Sequence, residues 1–278
     1  MTNRKLQPPI LDGDPRIVLT TDCSNDNDIQ RMTSATEYVR ACHRRLITQL
    51  RVIRDVEPYS ILDGAFHLGD QARTWQWAQP IHVGVVDPGV GTDRRGIAFR
   101  SQGGTFVGPD NGVSTLFRKY FPAEKTVELD PDIRSIVPKD FDAPTFDGER
   151  WFCPAAALLS VGETLEGIGK EIDPASLQNI ALEEGTILHT DKDFQNLKLF
   201  GLDHILEQIR HELAFTVSGS HLHRAKKGRT LADGIDAPFV VYPGSSSFVE
   251  LAIYKGFAAR ELGVKTGDRI LPDLANSI

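Results

Sequence analysis

Residues 85–98 read VVDPGVGTDRRGIA. An apolar run ends in a carboxylate, Asp87, and two guanidinium side chains, Arg94 and Arg95, follow within eight residues. Between them Pro88 fixes its φ, while Gly89 and Gly91 permit positive φ or a close approach of backbone to a ligand. Three charged groups on so specified a turn are candidates to hold a polar reactant. Their structural alternative is a pair of solvated arginines, or one arginine paired back to Asp87. The spacing G-x-G-x-x-x-x-G departs from the dinucleotide fingerprint, and no Gly-Lys-Ser/Thr follows to form a phosphate-binding loop. Two more acids have matching placement: Asp22 closes RIVLTTD, and Asp110 follows TFVG. In open α/β sheets ligands bind beyond the carboxyl ends of the strands, so three such acids would line one rim. Any one of them alone would be read as the cap of the next helix or turn.

The elements that must position these residues follow from periodicity. Residues 16–22 read as a buried strand. Residues 28–50 carry apolar side chains at three-to-four-residue steps, an amphipathic helix with Asn27 or Asp28 as N-cap. Strands are predicted at 51–56, 81–87, 96–101 and 105–110, and helices at 60–74, 114–121 and 154–165. This alternation argues for a parallel or mixed sheet covered on both faces. From 183 onward short strand-like runs at 186–191, 213–223, 237–244 and 248–254 are separated by Gly and Pro, which predicts a smaller, mainly β domain. The predicted domains are 1–175 and 183–278, with a linker near IDPASLQN.

Composition narrows the function classes. The 278 residues are 40% apolar and 25% charged, with a net charge of −7. An acidic chain without a basic stripe argues against nucleic acid as partner. No apolar run approaches a membrane span, and MTNRKLQPPILDGDP lacks the apolar stretch of a secretory signal. With three scattered cysteines and no C-x-x-C pair, neither a disulfide framework nor a zinc site is expected, and the cytoplasm is the expected compartment. His221 and His223 could face the same way from one strand, but no third metal ligand accompanies them. Ser245–Ser247 do not form a G-x-S-x-G elbow. Cys153, before Pro154 at a helix start, reads as a small buried residue.

The segments LTTD, DVEPYSILDGAF, IHVGVVDPGVGTDRR, FVGPDNGV and TFDGERWFCPAAA occur in an order that resembles the S-adenosylmethionine (SAM) hydroxide adenosyltransferases, relatives of the fluorinase and chlorinase. SSSFVELAIYKGFAARELGVKTGD is similar to their C-terminal segment. The resemblance spans roughly residues 16–270. It implies a Rossmann-like N-terminal α/β domain, a C-terminal β-barrel-like domain, and a homotrimer with SAM held between subunits. It implies hydrolysis of SAM, as substrate and without a further cofactor or metal, to adenosine and methionine. Carried onto this chain, it makes Asp87 and Arg94 two members of a water-orienting triad. Asp22 becomes the ribose-binding acid and Tyr59 an aromatic beside the sulfonium. Asp110, Asn111, Asp191, Asn196, Ser245, Ser246 and Tyr254 become further substrate-binding positions, and Arg95 is expected to be structural.

The chain departs from the family pattern at the third triad position, where Asp147 in TFDGERWF stands for a His. Two carboxylates side by side require a proton on one of them, or Arg94 between them. Three outcomes remain open: Asp147 substitutes for the imidazole, turnover is slow, or the nucleophile has changed. HTDKDFQNLKLFG carries one extra residue, Tyr254 replaces an Asn, and TTDCSNDND replaces T-T-D-F-G. The leading expectation is SAM hydrolysis. A halogenase is disfavoured by the retained D-P-G-V-G-T-x-R-R motif and the short FRSQGGTF link. A non-catalytic binder of SAM or adenosine is the reading from a different class.

Overall fold

The computed structural model describes residues 15–45, 50–138, 146–217 and 221–278. The chain forms two compact units, Met1–Ile180 and Ala181–Ile278. Unit 1 holds one seven-stranded sheet with the order β2-β1-β3-β5-β4-β6-β7. Its strands are β1 (Ile17–Thr21), β2 (Leu50–Ile53), β3 (Ile81–Val85), β4 (Gly96–Ser101), β5 (Gly104–Pro109), β6 (Lys125–Leu129) and β7 (Gly169–Glu171). The first three strands and β5 are mutually parallel. The link between β4 and β5 is only two residues long, which a parallel crossover cannot use, so this pair is antiparallel. The sheet is therefore mixed.

Helices cover both faces. α1 (Asp26–Cys42), α4 (Cys153–Ser160) and α5 (Leu165–Ile168) pack on one face through Met32, Ala155, Ala156, Leu165 and Ile168. α2 (Ile61–Trp75) and α3 (Thr115–Tyr120) pack on the other through Leu68, Ala72 and Phe117. The chain leaves β1 through α1 to β2, then returns through α2 to β3 on the other side of β1. The strand order thus reverses between β1 and β3, the place where such sheets bind ligands.

Two details differ from the periodicity reading. Asn25, rather than Asn27 or Asp28, caps α1: its side chain accepts from the Asp28 N–H at 2.8 Å. Asp26 and Asp28 then sit in the first turn, where the helix dipole favours them. The helix stops at Cys42, with Arg44 in the left-handed region at φ 59°, and Leu50 already belongs to β2. The predicted helical turn over 46–49 lies outside the described residues.

Unit 2 contains β8 (Ile187–Thr190), β9 (Leu197–Leu199), β10 (Glu212–Val217), β11 (His223–Lys227), β12 (Val240–Pro243), β13 (Val249–Ala252) and β14 (Ile270–Pro272), with the short helices α6 (Asp203–Gln208) and α7 (Ala258–Leu262). The order β14-β10-β11-β12-β13-β9-β8 nearly closes on itself. Ile187 N–H donates to the Asp268 carbonyl at 2.8 Å, and Ile270 N–H to the Gly185 carbonyl at 2.9 Å. Gly185 has φ 80°, and a Cβ there would stand 1.9 Å from the Ile270 carbonyl oxygen, so the seam requires glycine. The predicted run 213–223 is two strands; residues 218–220 between them lie outside the described residues. His223 packs against Phe215 and Phe239, with ring centroids 5.4 and 5.9 Å away, an aromatic rather than a metal-binding role.

Gly148 fixes how closely α1 approaches the end of β3. A Cβ at this position would stand 2.8 Å from Val85 Cγ1 and 2.9 Å from Met32 Sδ. Gly148→Ala is expected to lower unfolding free energy by about 1–3 kcal/mol through overpacking, measured by urea denaturation.

Candidate active site

Asp22 follows the last residue of β1, and Asp87 lies two residues beyond β3. Both line a cavity of about 380 Å³ at the point where strand order reverses. The loop after β1 contributes Cys23, α1 contributes Asp28 and Arg31, and the turn before α2 contributes Tyr59. Phe146, Asp147 and Gly148 close the other wall. Asp147 is delivered by a π turn, Gly148–Phe152, that runs directly into α4. Such turns re-aim side chains at the cost of regular helix pairing.

The charged side chains form a continuous chain of contacts. Arg94 Nε donates to Asp87 Oδ2 at 2.9 Å, and its terminal nitrogen donates both to that oxygen and, at 2.6 Å, to Asp147 Oδ2. Arg134 then donates to Asp147 through Nε at 2.9 Å and through its terminal nitrogen at 3.2 Å. The Arg134 guanidinium lies 3.4 Å from the centroid of the buried Trp151 ring. The side chains of Asp87, Arg94 and Asp147 are 6%, 10% and 7% exposed, so solvent screens these pairs little. Burial pushes the Asp147 carboxyl up, but hydrogen bonds and charge from Arg134 and Arg94 outweigh it and hold the group below the ordinary carboxylate range. Burial likewise lowers the Arg94 pKa, and its bonds to Asp87 and Asp147 raise it above the ordinary value. The arginine thus lies between the two carboxylates and donates to both. Asp87 Oδ1 is left over: it is buried and has no hydrogen-bond partner among the described residues.

On the opposite side of the cavity Asp22 Oδ2 accepts the Tyr59 N–H at 2.8 Å. Tyr59 has φ 63°, a sparsely populated conformation for a non-glycine residue, and the residue is 77% exposed. The acid thus holds in place the turn that presents the ring. Burial, together with the charges of Asp22 and Asp28, raises the Cys23 thiol pKa against a hydrogen bond from Thr21, so Cys23 stays protonated.

Asp110 and Asn111 are placed differently. Asp110 follows β5 on the same rim, yet its Oδ2 takes two hydrogen bonds from Arg95, at 2.5 and 3.1 Å, and its Oδ1 takes the Gln178 N–H at 2.8 Å. Asn111 donates to the Val86 carbonyl at 2.9 Å and accepts from the Val113 N–H at 3.1 Å. Neither residue lines the cavity. In unit 2 Asp191 accepts the N–H groups of Asp193 and Phe194 and so closes the turn before β9. Asn196 donates to the buried Glu250 at 2.9 Å; Tyr242, at 2.6 Å, and Lys198 also donate to that carboxylate. The β9–β13 register sets Asn196 and Tyr254 at one end of β13, and Ser245 and Ser246 precede its other end. Ser245 is exposed, Ser246 and Tyr254 half-buried. The Glu250 cluster and Arg134 were missed in the sequence. Asp130-Pro131 does signal the start of the short turn Pro131–Ser135 that carries Arg134.

Family models for the SAM hydroxide adenosyltransferase N-terminal and C-terminal domains match residues 17–169 and 185–271. The chain belongs to this family. It is 32% identical over 252 residues to the (R)-S-adenosyl-L-methionine hydrolase of Salinispora tropica, covering 85% of this chain and 92% of that protein. The hydrolase of the same name from Thermus thermophilus is 34% identical, over 66% and 72% of the two chains. A solved structure of an uncharacterized conserved protein from Thermotoga maritima shares the fold with a TM-score of 0.79 at 24% identity, covering 92% of this chain and 99% of that one. The solved structure of a conserved hypothetical protein from Thermus thermophilus superposes with a TM-score of 0.73 at 25% identity, over 93% and 100%. Within this SAM hydroxide adenosyltransferase chain, the position at which the resemblance implies a His is the clamped Asp147.

Two stability measurements separate structural from rim acids. Asp110→Ala leaves Arg95 with its bonds to Ser176 but without its carboxylate, and strands the Gln178 N–H; urea unfolding should show a loss of about 2–3 kcal/mol, whereas Asp22→Ala should cost about 1 kcal/mol or less. For Asp147 the pKa is depressed on folding. Its contribution is therefore complete above the ordinary carboxylate range and is lost as pH falls below that range through the depressed value. The stability difference between wild type and Asp147→Asn should be largest at neutral pH and shrink in acid, measured by urea unfolding across that range.

Proposed function

We propose that the protein hydrolyses SAM to adenosine and L-methionine by in-line attack of water at the ribose C5′. The observation that carries this reading is the Asp87 carboxylate, with Oδ2 fixed by Arg94 and Oδ1 buried without a partner in a family whose curated relatives are named SAM hydrolases. An acceptor left open in this way suits a water that must be aimed and relieved of a proton. The water oxygen forms a bond to C5′ as the C5′–S bond breaks. The bond pair stays on sulfur, which departs as a neutral thioether, and the surplus proton passes to Asp87. Arg94, held by Asp147, fixes the plane of the attacking acid.

The cavity suits a cation. Beside Asp87 and Asp147, whose charges Arg94 and Arg134 balance, Asp22 and Asp28 line it against one guanidinium, Arg31, which is itself paired with Glu149 at 2.9 Å. The exposed Tyr59 ring offers a π-face to a sulfonium, and Asp22 retains acceptor capacity for ribose hydroxyls. On this reading Asp191, Asn196, Ser245, Ser246 and Tyr254 serve substrate from the second unit of a neighbouring subunit in a homotrimer. The protein would act in the cytoplasm, with no cofactor, metal, nucleic acid or membrane. Among the described residues no helix is long and apolar enough to cross a membrane.

A second reading, a non-catalytic binder of SAM or adenosine, is favoured by the lack of a histidine among the residues lining the cavity. Incubation with SAM and chromatography of the products separates the two. Adenosine and methionine should form in equal amounts, and Asp87→Ala should lower kcat by about 10²–10⁴-fold. SAM binding without adenosine would replace the hydrolase by the binder. Asp22→Ala should act mainly on KM, raising it by about tenfold or more through loss of charge-assisted hydrogen bonds.

A further inference from the structure

Asp147 brings a second buried negative charge next to Asp87, where a neutral imidazole would bring none. The chain supplies a matching cation. Arg134 arrives from the short turn Pro131–Ser135, where Asp130 caps the first N–H and Pro131 starts the turn. Its guanidinium grips both oxygens of Asp147 and rests on Trp151. The turn is itself fixed from behind: Arg150 donates to the Arg134 carbonyl at 2.7 Å, and Trp151 Nε1 donates to the Asp130 carbonyl at 3.0 Å. Asp87, Arg94, Asp147 and Arg134 thus form a row of alternating charge with no net charge. Its far end is anchored, and its near end leaves one buried acceptor, Asp87 Oδ1, without a partner among the described residues.

We infer that Arg134 is a positioning residue for the reaction, acting through Asp147 and Arg94 on Asp87, and that Asp147 and Arg134 work as one unit in place of an imidazole. This rests on the hydrolase reading above. Arg134 neither lines the cavity nor touches Asp87. Its effect is geometric: without it Asp147 loses two of its three donors, Arg94 is free to swing toward one carboxylate, and Asp87 Oδ1 is no longer aimed. The unit contains no imidazole. The ionisable groups around it are Asp22 and Cys23 from the loop after β1, Asp28 and Arg31 from α1, Tyr59 from the turn before α2, and Glu149 and Arg150 from the π turn; none is a histidine.

The test is a set of variants assayed for adenosine release from SAM: Arg134→Ala, Arg134→Lys, Asp147→His, and the double variant carrying Asp147→His with Arg134→Ala. Arg134→Ala should lower kcat by about tenfold to a hundredfold, with KM for SAM within about threefold, the size expected for misplacing a catalytic group by a fraction of an ångström to an ångström. Arg134→Lys should recover part of the loss, because an ammonium restores the charge but not the two-point grip. Asp147→His alone should be impaired, since Arg134 then faces an imidazole and no carboxylate. Adding Arg134→Ala to it should raise kcat, and should introduce an imidazole limb near neutral pH that the wild-type profile lacks. A purely structural arginine would give the same fractional loss in both backgrounds. That result, or an Arg134→Ala enzyme with kcat within about twofold of wild type, overturns the inference while leaving the hydrolase standing. A wild-type protein that forms no adenosine overturns the hydrolase reading, and this one with it.

Discussion

One guanidinium between two buried carboxylates is the constraint on which the site depends. Asp87 and Asp147 both have nearly buried side chains, and like charges close together in such a place repel. Arg94 makes the arrangement possible by dividing its donors between them. Each neighbouring element can be understood by what it must deliver to that group. β3 carries Asp87 to the rim, the Pro-Gly turn reverses the chain so that Arg94 folds back, and the π turn rotates Asp147 in from the far wall. In low dielectric such a network is strong when complete and costly when any member is missing.

The same low dielectric gives meaning to the one atom left out. A buried acceptor without a donor is rare in a folded protein and costs stability. Here the rest of the cluster is saturated: Asp147 has three donors, and Asp87 Oδ2 has two. Asp87 Oδ1 stands alone beside a cavity at the sheet's switch point. On the facing wall Tyr59 occupies the left-handed region, and Asp22 accepts its N–H. An unsatisfied acceptor and a left-handed residue across one cavity are local violations of the kind expected at a functional site.

Much of this was legible in the sequence, for a topological reason. Parallel strands that alternate with helices bring their carboxyl ends to one rim, so Asp22, Asp87 and Asp110 could be grouped without knowing any distance. The use of each acid was not legible. Asp110 turns to Arg95 and to the Gln178 N–H because the segment after β7 passes beside it, a neighbour 68 residues away in the chain. Asn25 won the cap of α1 over Asn27 and Asp28 by a loop conformation that periodicity does not encode. Nothing in its own stretch of sequence marks Arg134; its partner lies 13 residues further on. In unit 2 the Glu250 cluster depends on β13 lying between β9 and β12, and strand order is not written in any one strand.

The field of the cavity and the chemistry at its floor have separate tasks in the proposed reaction. The rim acids draw a cationic sulfonium toward the site. They cannot by themselves speed the displacement, because the positive charge on sulfur fades as the C5′–S bond breaks, so carboxylates near it stabilise the ground state more than the transition state. What lowers the barrier must act on the incoming water, whose oxygen gains a bond and whose proton must leave. That task falls to an acceptor behind the rim, with its own charge balanced locally so that its orientation does not depend on the substrate's charge. The neutral row Asp87–Arg94–Asp147–Arg134 has this property. It leaves the rim free to bind a cation and to lose its hold once sulfur leaves uncharged, so the attraction that loads the site does not retain the products.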